Sequence, residues 1–167
     1  MRYHTLYHYT RGFPENIREG GLRRLDWNTY RFEVYENIPD MHKEHFKLLL
    51  EDTATIPQYD DRNGFIFLTT LPRDNSPLQF YYGGECTRRL IEFSFLEIRD
   101  VLFEILETIG VPLRVTVKIP EESLSLSQVS KFQEIANGTF SGGEHTDIWL
   151  DYDIPPHWIQ DIQVIRN

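Results

Sequence analysis

The run LRVTVKIP, residues 113–120, alternates apolar and polar side chains at every step, the signature of a strand with one face toward a core. Successive side chains of a strand project to opposite sides. LYHYT, residues 6–10, keeps the same period but breaks the chemistry: Leu6, His8 and Thr10 fall on one face, Tyr7 and Tyr9 on the other. A strand that packs on a core normally puts aliphatic residues on its buried face, so a histidine and a threonine in line with Leu6 require a reason. One reason is a hydrogen-bonded core histidine; the other is a polar site at the strand's end.

Further strands read from FIFLTT (65–70), a short apolar run ending in two threonines, from TRRLIEFSF (87–95), and from two runs near the end, one starting at Ile148. Helices read from Pro14–Glu19, which opens on proline and stops at Gly20-Gly21, and from Phe32–Asp52, interrupted near Pro39. Glu97–Ile109 sets Ile98, Val101, Leu102, Ile105 and Ile109 on one side and stops at Gly110. Ser125–Ala136 is stopped by Asn137-Gly138. Strands and helices follow one another without repeat or linker, so residues 1–167 are expected to form a single α+β domain.

At 167 residues the chain can bury about two thirds of its unfolded surface without staples. Its single cysteine, Cys86, excludes an internal disulfide framework and fits a reducing compartment. There is no apolar run of about twenty residues and no apolar leader in MRYHTLYHYT, so the expectation is a cytoplasmic protein with no membrane contact. A net charge of -9 argues against tight non-specific binding to nucleic acid. Arg11, Arg18, Arg23, Arg24 and Arg31 nonetheless leave a phosphate-bearing ligand open. Aromatic residues make up 14% of the chain, which favours pockets with stacking walls.

Several site chemistries find little support. His42 and His45 are three apart, not at the four-residue zincin spacing, and no third ligand lies nearby, so no metal is expected. Gly83-Gly84 and Gly142-Gly143 lack the residues of a phosphate loop or a dinucleotide fingerprint. Cys86 has no nucleophile motif around it. What remains is His8 and Thr10 on the first strand, Tyr81 and Tyr82 in an aromatic loop, and Glu144 and Asp147 ahead of the strand Ile148–Tyr152. Each has a plain structural explanation; together they suit a flat cationic ring carried on a sugar. An aromatic face holds the ring, and a carboxylate stabilises positive charge as a C–N glycosidic bond breaks.

LYHYTRG followed by NIREGGL resembles the opening of the His-Tyr-Glu class of ADP-ribosyltransferases, which includes the poly-ADP-ribose polymerases and small bacterial toxin and phage-defence transferases. GFIFLTT resembles the strand that walls the NAD pocket in that class. FYYGG ahead of RRLIEFSF stands where the nicotinamide-stacking tyrosine is found, and HTDIWLDYDIPPHWIQDIQVI is similar to the terminal strand pair whose opening acid is catalytic. The resemblance implies a split β-sheet core with flanking helices and NAD as co-substrate. It implies that His8 bonds a ribose hydroxyl, that Thr10 supports the adenosine half and that Tyr82 or Tyr81 stacks on nicotinamide. Tyr9 and Thr69 complete the NAD-binding set. The catalytic acid falls on Asp147, one methylene shorter than the usual glutamate, with Glu144 as rival. The implied activity is NAD-dependent mono-ADP-ribosylation of a protein or nucleic acid, with a neutralising partner as for a toxin. An NAD glycohydrolase and a catalytically silent binding module share the same pocket residues. An RNA 2'-phosphotransferase-like enzyme fits less well, because Tyr7 precedes His8 where that relative has arginine.

Overall fold

The computed structural model describes residues 2–44, 47, 64–70, 96–108, 110–139 and 147–165. The described strands are β1 (Tyr3–Gly12), β2 (Ile66–Thr69), β3 (Val111–Pro120), β4 (Asp147–Leu150) and β5 (Ile159–Val164). They form one antiparallel five-stranded sheet in the order β4-β2-β1-β3-β5. The helices among them are α1 (Pro14–Gly20), α2 (Trp27–Glu36), α3 (Leu96–Thr108) and α4 (Leu126–Ala136). Mixed α and β structure in one sheet agrees with the α+β expectation. A cleft between two small sheets is not present among the described strands, which pair into a single sheet.

Register explains the central position of β1. It pairs with β3 over ten residues, from Tyr3↔Pro120 to Gly12↔Val111. Directly opposite residues share a face, so Leu6 meets Val117, His8 meets Val115 and Thr10 meets Leu113. Leu6, Leu113, Val115, Val117 and Ile119 are fully buried. At about 1.5–3 kcal/mol for each large aliphatic side chain removed from water, this seam outweighs any single polar contact in the domain. Pairing with β3 also carries β1 three residues beyond Tyr9, past the end that its own sequence suggests. β1 and β2, by contrast, register at one pair, Tyr7↔Thr69.

The face bearing Leu6 is covered from both chain directions. Ile17 of α1 and Phe132 of α4 belong to the same buried cluster as Ile66, Leu68, Ile148 and Leu150. α4 starts where its sequence allows two backbone donors to be satisfied reciprocally. The Ser125 hydroxyl accepts from Gln128 N, and the Gln128 side chain accepts from Ser125 N. α2 starts five residues earlier than the periodicity suggests, because the Asp26 carboxylate accepts from both the amide and the hydroxyl of Thr29. Among the described side chains of α3, Leu102, Ile105 and Leu106 are buried; Leu106 adds to the expected set, while Ile98 and Ile109 lie outside what is described. The expected strand at 87–95 and the second half of the 32–52 helix lie largely outside the described residues.

Two ties close the molecule. Arg11 donates to the carbonyls of Leu106 (3.0 Å) and Gly110 (2.7 Å), placing a cation on the C-terminal end of α3, where the helix dipole favours it. Leu22 and Ile154 exchange backbone hydrogen bonds at 2.9 and 2.8 Å, joining the segment after α1 to the β4–β5 connection. Beside that bridge the Arg24 amide donates to Asp153 (2.9 Å), and this bond, more than the guanidinium, lowers the Asp153 pKa.

The bridge depends on Gly21, which has φ +76° and whose missing Cβ would lie 2.1 Å from the Ile154 carbonyl oxygen. Gly21→Ala is expected to destabilise the fold by more than about 2 kcal/mol, since the conformation and the contact both exclude a side chain. Gly20→Ala, where nothing lies within 4 Å, should change stability by no more than about 0.5 kcal/mol. Denaturant midpoints of the two variants measured side by side check the contrast.

Candidate functional site at the junction of the first two strands

Two histidines sit on the core phase of β1, and their surroundings differ. His4 is satisfied within the protein: its Nε2 lies 2.8 Å from Glu121 Oε2, and its ring stacks on Phe132 at 4.2 Å and 18°. Arg2 approaches the same carboxylate oxygen at 3.4 Å. This is the ordinary hydrogen-bonded core histidine. His8, two strand repeats further, uses only one ring nitrogen among the described contacts. Its Nδ1 lies 2.8 Å from the Phe67 carbonyl oxygen, which can only accept, so Nδ1 carries the proton. Among the described residues Nε2 has no hydrogen-bond partner.

Burial lowers the His8 pKa, and the bond to Phe67 opposes that shift only in part. The ring is therefore neutral near pH 7, with its tautomer set by Phe67 and a lone pair on Nε2. Chemically this is a fixed acceptor suited to a ligand hydroxyl. The same bond braces the short β1–β2 junction, because it links β1 to the carbonyl of Phe67 two residues from the registered pair.

Thr70 adds a feature that the sequence reading left out. Its hydroxyl oxygen is buried and has no hydrogen-bond partner, a rare condition for a polar atom in a folded protein. Thr70 is the bend residue that directly follows β2, one position past the Tyr7↔Thr69 pair. The only signal in the sequence was the doubled threonine that closes FIFLTT.

The other expected site residues are distributed as follows. Thr10 is half-buried and pairs with Leu113 in the phase of His8. Tyr9 is half-buried opposite Arg114, in the other phase. Thr69 is buried, with a relative exposure of 5%, and stands between Tyr7 and Asp147 in register. Asp147 opens β4, with Trp149 opposite Phe67 one repeat on. Its register position therefore has the phase of Trp149, Phe67 and Tyr7, while His8 and Thr10 have the phase of Leu6. Tyr81, Tyr82 and Glu144 lie outside the described residues, as do Cys86 and His45.

On the Tyr7 side the surface is aromatic and cationic. Trp149 packs edge-on against Phe67 at 4.5 Å, and the Arg114 guanidinium lies 6.0 Å from the Tyr7 ring centre. Among the described residues no group of three or more His, Cys, Asp or Glu side chains could hold a metal ion. No described helix is long and apolar enough to cross a membrane.

The lowered His8 pKa has a definite sign in stability. An unfolded imidazole takes up a proton near pH 6.5, whereas folded His8 takes one up only at lower pH. Its contribution to stability is complete above about pH 6.5 and is lost as the pH falls through that value. His8→Asn keeps a donor for the Phe67 carbonyl and removes the titration. The variant should lose less stability than the wild type between about pH 7.5 and 5.5, measured by urea denaturation at each pH.

Compared with models of known protein families, with curated proteins and with solved structures, the chain gives no match.

Proposed function

We propose that this chain is an NAD-dependent mono-ADP-ribosyltransferase acting on a protein or nucleic acid. The observation that carries the reading is His8, a neutral imidazole with Nδ1 committed to Phe67 and Nε2 left as an acceptor on the core phase of the central strand. In this proposal Nε2 accepts from a ribose hydroxyl of NAD, and the unpartnered Thr70 hydroxyl offers a second polar contact. Thr10 supports the dinucleotide, and Tyr82 or Tyr81 stacks on the nicotinamide ring.

The reaction breaks the C–N bond between ribose and nicotinamide, and nicotinamide leaves with the bonding pair. The ribose carries the positive charge until an acceptor nucleophile forms the new bond and releases its proton. A carboxylate near the ribose lowers that barrier; removing such an electrostatic contact typically costs about 10²–10³ in rate. Asp147 and Glu144 compete for this role, and the out-of-phase register of Asp147 gives weight to Glu144. The same register favours a second reading, a module that binds the dinucleotide without cleaving it.

Incubation with NAD labelled in its adenylate half, with and without cell lysate, tests the proposal. Label on a macromolecule is the expected outcome. Free ADP-ribose alone would make the chain a glycohydrolase, and saturable binding without turnover would make it the silent module. His8→Asn is expected to keep its melting temperature and lose most turnover, since it preserves the Phe67 bond and removes the Nε2 acceptor. Of Asp147→Asn and Glu144→Gln, the variant of the true catalytic acid should fall about 10²–10³-fold while still binding NAD. Full activity in the double variant and in His8→Asn would overturn the assignment.

A further inference from the structure

The two edges of the sheet are finished differently. At β4 the Gln128 side chain of α4 donates to the Trp149 carbonyl at 2.7 Å, so the helix covers that edge. Among the described strands β5 stands last on the other side of the sheet order. Ile165 N–H reaches the Pro112 carbonyl at 2.9 Å, and inward-bonded positions of an antiparallel pair recur at every second residue. Gln163 and Asp161 therefore turn their backbone groups toward β3, while Ile162 and Val164 turn theirs outward. The segment IQDIQV contains neither lysine nor proline, two residues that commonly blunt an edge.

A groove of about 460 Å³ opens at the start of this edge, across the ends of β1, β3 and β5. Its lining includes Tyr3, Lys118, Glu122, His157, Trp158 and Gln160. Tyr3 is 47% exposed. Trp158 is held at the mouth of β5 by a turn begun at Pro155-Pro156, and it packs edge-on to Tyr152. Aromatic rings beside a carboxylate suit a guanidinium or ammonium group. Among the described residues neither Glu122 nor the exposed Asp161 of β5 forms an ion pair.

We propose that the outer edge of β5, with the groove at its start, takes up an extended basic segment of a partner protein as a sixth strand. Backbone bonds to Ile162 and Val164 provide the pairing, and the groove receives one basic side chain, the division of labour typical of strand addition. The net charge of -9 favours a basic partner over an acidic one. A second copy of this chain fits poorly. In a two-fold pairing of β5 on itself centred at Ile162, the two Asp161 residues become diagonal neighbours about 7–8 Å apart, between chains of equal negative charge.

The test uses the full chain and an acetylated, amidated hexapeptide of alternating valine and arginine, with binding measured by titration calorimetry. Expected are saturable binding, at least about tenfold weaker binding when glutamate replaces arginine, and loss of binding when alternate peptide amides are N-methylated. Val164→Pro deletes an outward N–H and leaves the β3 ladder its donors; it should weaken binding about tenfold or more at unchanged melting temperature. Should that variant melt early, Asp161→Lys, an exposed substitution, replaces it with the same expected loss. Equal affinity for the basic and acidic peptides, no binding of either, or indifference to N-methylation would overturn the proposal. So would a dimer seen by sedimentation that Val164→Pro dissolves, because a second copy would then occupy the edge.

Discussion

The pairing of β1 with β3 is the constraint on which the other elements depend. Ten consecutive register pairs hold the two strands together, and one face of the pair is a continuous aliphatic seam, with Leu6, Val115, Val117 and Ile119 fully removed from water. A shift of one residue would turn every one of those side chains to the opposite face. Once this register is set, the phase of each polar residue on β1 follows from it. α1 and α4 then cover the seam through Ile17 and Phe132, and the Arg11 guanidinium at the far end of β1 holds the C-terminal end of α3.

Within that frame His4 and His8 show how position decides the role of one residue type. Both lie on the buried phase of the same strand, four residues apart. His4 meets a carboxylate and an aromatic ring, so its ring is committed to the fold. His8 meets a backbone carbonyl on one side only, at the junction where β1 and β2 share a single registered pair. The neighbouring strand contributes Thr70, whose buried hydroxyl has no partner. A polar atom left unpaired in a buried setting costs the folded state stability, and a ligand that satisfied the Thr70 hydroxyl would recover that cost on binding.

The two faces of the sheet divide further chemistry between them. The face bearing Leu6 is aliphatic apart from His4, His8 and Thr10. The opposite face gathers Tyr7, Phe67, Trp149 and Arg114. Asp147 belongs by register with the second group.

Much of this architecture was legible in the sequence because it rests on local rules. The period-two runs marked β1 and β3 and the short apolar run FIFLTT marked β2, the Ser125/Gln128 capping box sits at the expected start of α4, and Pro14 and Gly20-Gly21 bracket α1. The alternation of Leu6, His8 and Thr10 against Tyr7 and Tyr9 could be read directly, since side-chain direction in a strand depends only on neighbours in the chain. The early start of α2 was missed because one carboxylate, Asp26, outweighed the hydrophobic period. Tertiary structure alone decided which strand stands next to which, that β1 lies at the centre of the sheet, and that Thr70, not only Thr69, matters at its junction with β2. It alone decided that His4 is occupied and His8 is not, and that Asp147 and His8 differ in phase. Those outcomes depend on pairing register between residues 42 to 117 positions apart in the chain. Register is set by the burial of whole faces, a quantity that no single motif contains.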